Sequence, residues 1–386
     1  MTTGNAPVDF EAAGGGWTAR EIAQQPALWR EVAAAVAAAR AETDAFLRPL
    51  LENGDLRIVL TGAGTSAFVG EVLAPHLTRA TGRRVEAIAT TDLVANPRAH
   101  FAEDVPTLLV SFARSGDSPE SVAATRLADQ CLTRCQHLIL TCDRRGALAR
   151  EHADGPDSLV RVMPAAANDR GFAMTSSYTC MLLTALLTLG AVPNQAELTE
   201  QLAHAAELLL ANGSAAIRAV AGRGYRRIVY LGSGPLKGLA RESALKMLEL
   251  TAGTVATWYD SPLGFRHGPK SVLDDTTLVI IYLSTDPYTR RYDLDMVAEL
   301  GASLPREAVI VVTATPDGHD GDNTWLVEGV GDFDDAAASL PFVVCAQMLA
   351  LHMSIGSGHT PDNPFPSREV NRVVQGVTVY PLPGPG

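Results

Sequence analysis

Apolar runs and amphipathic stretches alternate along this chain, and the alternation occurs twice. The segment LRIVLTGAGTSAF (56–68) reads as a short β-branched strand entering a Gly-x-Gly turn and then a helix, and RRIVYLGSGPLKG (226–238) reads the same way. Their Ile-Val pairs, at Ile58 and Ile228, set a period of 170 residues. That is too long for a solenoid and suits a duplicated domain. The later runs keep the same order: RVEAIAT (84–90) matches TVATWY (254–259), TLLVSF (107–112) matches TLVIIYL (277–283), and HLILTC (137–142) matches AVIVVTA (308–314). Helical patterns lie between them, at 70–82, 118–132 and 240–253. Strands alternating with helices predict a parallel sheet covered on both faces, so the expected fold is α/β: two tandem doubly wound parallel-sheet domains.

The pattern divides the chain into an N-terminal arm and helix (1–50), a first domain (51–195), a second domain (196–355) and a C-terminal tail (356–386), with the linker near GAVPNQAELTE (190–200). The stretch 21–51 predicts one leading Ala-rich amphipathic helix. The longest apolar segment, YTCMLLTALLTLG (178–190), falls short of the ~18 residues of a membrane span and predicts a buried core helix.

Composition narrows the partners. The 386 residues are 47% hydrophobic and 19% charged, as in an ordinary globular protein, and the net charge is −12. That charge argues against a nucleic-acid surface or an anionic membrane patch, so an anionic ligand must be held by local geometry. The first residues carry neither an early basic group nor an apolar signal core, so a cytoplasmic chain is expected. Five cysteines (Cys131, Cys135, Cys142, Cys180, Cys345) form no CxxC pair and are expected to be buried free thiols, with no metal or cofactor.

Candidate chemistry gathers at strand ends. SFARSGDSPESV (111–122) follows an apolar run and opens a helix. A helix N-terminus offers unpaired N–H groups and partial positive charge, and Ser115, Ser118 and Ser121 add hydroxyl donors while Gly116 permits close approach. The first turn adds Gly62, Gly64, Thr65 and Ser66. Two hydroxyl-rich loops in one domain point to phosphate; the competing reading makes Ser118 a helix cap followed by Pro119. Neither loop is a dinucleotide or Walker site, since the third glycine and the lysine are missing. The second copy has lost this loop. In its ARESALKMLEL (240–250), Glu242, Lys246 and Glu249 fall on one helical face among apolar neighbours, which predicts a charged stripe facing a cleft. GFRHGPKS (264–271) puts His267 in an irregular loop.

GAGTSAF, SFARSGDSPES, ESALKMLEL and FRHGPKS, in this order over two α/β repeats, resemble the sugar isomerase (SIS) domain family. DRGFAMTSSYT, YDSPLGFRHGPKS and NRVVQGVTVY are similar to its bacterial galactosamine-6-phosphate deaminase/isomerase group, historically the tagatose-6-phosphate ketose/aldose isomerases. The resemblance implies phosphate binding by Ser66, Ser115 and Ser118, with Arg114 where the related aminotransferase has glutamine. It implies an acid–base glutamate at Glu249, a helix lysine at Lys246 and a loop histidine at His267. In the family that histidine comes from a neighbouring subunit, which implies a homo-oligomer, at least a dimer, with a shared active site. Gln375 stands where the aminotransferase has a tail lysine, and the first cysteine is Cys131, which speaks against a glutaminase and for the degradative direction.

The implied reaction converts a small-molecule amino-sugar phosphate, D-galactosamine 6-phosphate, with water into D-tagatose 6-phosphate and ammonia. His267 would open the sugar ring, Glu249 would move the C2 proton to C1, and Lys246 would steady negative charge or orient Glu249. Glucosamine-6-phosphate deamination, plain aldose–ketose isomerisation and non-catalytic sugar-phosphate sensing are the alternatives.

Overall fold

The computed structural model describes residues 8–316, 323–367, 369–374 and 376–383. The predicted single leading helix is instead three: α1 (Gly16–Ala23), α2 (Gln25–Ala38) and α3 (Arg40–Leu51). The breaks fall at Gln24 and Ala39, where each segment turns to seat its own apolar side. Ile22, Leu28, Trp29, Val32 and Leu47 all reach the core, and one straight Ala-rich rod could not aim them all inward.

The first repeat runs β1 (Arg57–Thr61), α4 (Thr65–Thr81), β2 (Arg84–Ala87), α5 (Thr90–Ala95), α6 (Pro97–His100), β3 (Thr107–Ala113), α7 (Pro119–Cys131), β4 (Cys135–Thr141), α8 (Ala147–His152) and β5 (Ser158–Val162). Then come α9 (Ser176–Leu189), α10 (Gln195–Leu208) and α11 (Ser214–Ala221). The second repeat runs β6 (Arg227–Gly232), α12 (Pro235–Leu250), β7 (Ala256–Asp260), α13 (Pro262–Phe265), β8 (Thr277–Tyr282), α14 (Pro287–Gly301), β9 (Val309–Thr313), β10 (Thr324–Leu326) and α15 (Asp335–Gly356). The sheets are ordered β2-β1-β3-β4-β5 and β10-β9-β8-β6-β7, so read outward from β2 and β7 they have the same topology. Every pairing is parallel, with Arg57 opposite both Arg84 and Thr107. β1 and β3 are buried along their whole length, as strands covered on both faces must be.

The duplication extends to backbone angles. Gly64 adopts φ 55°, ψ −128° and Gly234 adopts φ 54°, ψ −126°, each as the residue before a long helix. A positive φ here favours glycine. A side chain at Gly62 or Gly232 would meet the helix backbone at 2.6 or 2.4 Å, so each Gly-x-Gly pair combines one close approach with one left-handed turn. The two equivalent helices, α4 and α12, pack on each other: a Cβ at Gly238 would lie 2.7 Å from the Val72 amide nitrogen.

One continuous core spans both sheets, from Leu60 and Tyr178 to Ile228 and Leu349. α9 is the predicted core helix and is buried nearly all round. α15 is longer than any apolar segment expected from the sequence; it is long and apolar enough to cross a bilayer, yet 89% of its most apolar window is buried inside the fold. All five cysteines are free as expected; Cys142, Cys180 and Cys345 are buried, whereas Cys131 and Cys135 are partly exposed because they sit at the amino end of the first sheet.

Candidate active site

The carboxyl ends of β1 and β3 open into a cavity of about 240 Å³. Gly64, Thr65 and Ser66 of the β1–α4 turn line it, with Arg114, Ser115, Gly116, Ser118 and Ser121 of the β3–α7 loop. Glu249 enters from α12, Phe172 and Met174 from the segment before α9, and residues 370–374 from the tail. Two loops of the first repeat and one helix of the second therefore share a single space.

Each loop is held locally. No side chain caps α4; the Ser66 amide donates to the Ala63 carbonyl at 3.1 Å and the Ala67 amide to the Gly64 carbonyl at 2.9 Å, and the positive end of the helix faces the cavity through Gly64, Thr65 and Ser66. The Ser66 hydroxyl has only a weak contact with the Met174 sulfur at 3.9 Å among the described residues. Ser118 is the N-cap of α7: its Oγ accepts from the Ser121 amide at 3.3 Å and donates to the Ser121 hydroxyl at 2.7 Å. The capping reading of Ser118 thus describes its bonding, while its position on the cavity wall keeps it beside any ligand. Gly116 has φ 71° and its carbonyl accepts from the Leu148 amide at 2.9 Å. Asp117 accepts from the Ala147 amide at 2.8 Å, so the loop is pinned to the turn before α8.

Two guanidinium groups set the charge. Arg114 is 8% exposed; its Nη2 donates to the Arg372 carbonyl at 2.8 Å, and its Nη1 has no partner among the described residues. Arg372 donates to the Asp169 carbonyl, and burial together with the charge of Arg114 pulls its pKa down. Adjacent cations are stabilised by an anion between them. Arg372 was missed by sequence reasoning, because a lone arginine in an irregular tail carries no periodic signal.

The charged stripe of α12 faces inward as expected. Lys246 is fully buried, in contact with the Glu249 carboxylate and 3.6 Å from Glu242 Oε1. Burial pushes Glu242 up to about 8, against the lowering effect of Lys246. For Lys246 burial favours the neutral amine, but the carboxylates of Glu242 and Glu249 outweigh it and raise the ammonium. Glu249 alone of the three meets the cavity, its side chain 25% exposed. Lys246 stands behind it.

His267 is not brought to this cavity within the chain. It is exposed in the loop after α13, where its amide donates to the Gly264 carbonyl at 2.9 Å. Arg266, at 2.6 Å, and Lys270 tie that loop to Glu299 of α14. Gln375 lies outside the described residues.

The matching position in the second repeat is closed. Ser233, in the β6–α12 turn, donates to Asp293 Oδ1 at 2.5 Å, and the Ser284 amide donates to Asp293 Oδ2 at 2.9 Å. Asp335 accepts from the Ser284 hydroxyl at 2.6 Å and the Thr285 amide at 2.7 Å. Internal carboxylates therefore take the donors that the first repeat leaves open.

The family model for the SIS domain matches residues 50–190. A Streptomyces coelicolor AgaS protein is 59% identical, covering 99% of this chain and 100% of the relative. This chain belongs to the SIS domain family. Among other SIS relatives, the D-galactosamine-6-phosphate deaminase AgaS of Escherichia coli is 45% identical over 96% of this chain and 97% of its own. The crystal structure of the Escherichia coli tagatose-6-phosphate ketose/aldose isomerase superposes with a TM-score of 0.89 at 42% identity, covering 98% of this chain and 99% of that one. The tandem SIS architecture expected from the sequence is the observed one.

Proposed function

We propose that this SIS chain is a D-galactosamine-6-phosphate deaminase/isomerase, which turns its substrate and water into D-tagatose 6-phosphate and ammonia. The observation that carries this reading is one carboxylate, Glu249, facing the same cavity as two loops rich in N–H and hydroxyl donors and the partnerless Arg114 nitrogen. The similarity to the AgaS deaminase over nearly the full chain supports it.

The phosphate sits at the positive amino end of α4 and on the hydroxyls of Ser66, Ser115 and Ser118, with Arg114 supplying charge. The sugar then extends toward α12. Glu249 takes the proton from C2 of the open-chain amino sugar, leaving an enolamine across C1 and C2, and returns it to C1. The C2 ketimine adds water and releases ammonia, leaving the ketose. Lys246, buried behind Glu249, acts as a positioning residue that holds the carboxylate toward C1 and C2. Phosphate anchoring fixes those carbons against the base, so its binding energy serves the chemical step.

Ring opening is assigned to His267, supplied by a second copy of the chain. Its exposure outside its own cavity, and the exposed Trp258, Tyr259 and Leu263 just before it, support such an interface. The tail over 356–386, with Arg372 at the cavity, closes the site. Incubating the protein with galactosamine 6-phosphate or glucosamine 6-phosphate, without glutamine, tests the assignment. Ammonia from the galacto sugar is expected. Interconversion of galactose 6-phosphate and tagatose 6-phosphate with no ammonia from either amino sugar would instead establish a plain isomerase, and release from the gluco sugar alone would reassign the substrate.

A further inference from the structure

At the amino end of the first sheet, away from the cavity, three metal-type ligands converge from two elements. Asp129 lies in the last turn of α7, and Cys135 and His137 stand two apart on β4, so their side chains leave the same face of the strand. Their ligand atoms all lie within 4.8 Å of one another. His137 is 3% exposed; its Nε2 lies 2.8 Å from Asp129 Oδ1, and its Nδ1 has no partner among the described residues.

We propose that Asp129, Cys135 and His137 form a binding site for a thiophilic divalent cation of the zinc class. Thiolate, imidazole and carboxylate together are the donor set such a cation takes, at metal–ligand distances of about 2.0–2.3 Å, with about 3.5 Å between ligands in a tetrahedron. The Asp129 side chain, 54% exposed, has room to turn toward the other two. The buried imidazole gives an independent reason. With the proton on Nε2, the inner nitrogen carries a buried lone pair that nothing meets; with it on Nδ1, a lone pair faces the carboxylate. A cation shared by the imidazole and the carboxylate removes the second conflict, because the Nε2 lone pair is then given to the metal. The surroundings favour positive charge. The Asp129 and Asp157 carboxylates both act on the Cys135 side chain.

The test uses the whole protein, stripped with chelator and titrated with cobalt(II) and then zinc. One cobalt per chain is expected, with a thiolate-to-cobalt charge-transfer band in the near ultraviolet, release of at least one proton, and displacement by zinc. Asp129→Asn should weaken cobalt binding by about 100-fold, and Cys135→Ser should abolish the band. Absence of the band at stoichiometric cobalt, or unchanged binding in both variants, would overturn the proposal. Asp129→Asn changes a largely exposed side chain, so it keeps the test decisive should the Cys135 variant misfold. Ammonia release by Asp129→Asn should equal that of the parent protein, since the cluster lies at the other end of the sheet.

Discussion

Replacing Glu21 by glutamine should flatten the dependence of stability on pH. Glu21 lies on α1, 4% exposed, and its carboxylate accepts from the amides of Arg170 and Gly171, the latter at 3.1 Å. These residues lead into Phe172 and Met174 on the cavity wall. Burial, with Asp169 close by, raises its pKa from 4.5 to about 7, and Asp362 adds to the rise. A carboxyl whose pKa is higher folded than unfolded binds more protons in the folded chain. Its stabilising contribution is complete below about pH 4.5, falls as pH rises through the folded value, and levels off above about pH 7. The full loss corresponds to about 3 kcal/mol. The amide oxygen of glutamine can still accept from both N–H groups but carries no charge to desolvate. Urea denaturation of both proteins from pH 4.5 to 8.5 should therefore give curves that converge at the acid end, with the variant more stable by up to about 3 kcal/mol at the alkaline end. Other buried acids, Glu242 and Asp293, titrate in both proteins, so the difference isolates Glu21. Parallel curves, or a variant less stable at pH 8.5, would refute the assignment of a strained buried carboxylate beneath the cavity wall.

Glu249→Gln should lower turnover by about 10²- to 10⁴-fold while sugar-phosphate affinity, read by calorimetry, stays near the parent value. Arg114→Met should raise KM by about 10- to 100-fold, the loss of a charge-assisted hydrogen bond to phosphate, with a smaller effect on kcat. Ser118→Ala should lose about 1 kcal/mol of stability through the missing helix cap, and a parallel rise in KM would show that the same hydroxyl also serves the ligand. Mixing the inactive Glu249→Gln and His267→Asn proteins under subunit exchange should restore about a quarter of parental activity if each site is built from two copies; continued inactivity would place the ring-opening group elsewhere.

Much of the architecture was legible because it rests on patterns that survive averaging. The paired Gly-x-Gly turns announced themselves through residue type alone, since a close approach and a positive φ both demand glycine. The stripe of Glu242, Lys246 and Glu249 was legible from helical spacing, and its burial from the apolar residues around it. What escaped detection was non-local. β5 and β10 are short edge strands whose sequences carry little alternation. α15 was overlooked because Gln347, His352 and Ser354 interrupt its apolar run; Gln347 is bonded to Gln25 at 2.8 Å and Ser354 to the Leu250 carbonyl, partners that no local window contains. The breaks at Gln24 and Ala39 were hidden by high helix propensity on either side. Arg372 becomes meaningful only once the tail has crossed to Arg114, a contact spanning 258 residues.

The carboxylates of Asp293 and Asp335 give the duplicated fold a definite stoichiometry. Duplication doubled the strand-end cradle, but in the second copy the donors of the β6 and β8 ends are already satisfied from within. An incoming phosphate would have to displace two tethered anions that never diffuse away. The molecule thus carries a built-in, permanently bound occupant of its spare cradle, and on the proposed function each chain is expected to titrate with one equivalent of sugar phosphate instead of two. The α12 of the second repeat is left to turn Glu249 into the cavity formed by the loops of the first repeat.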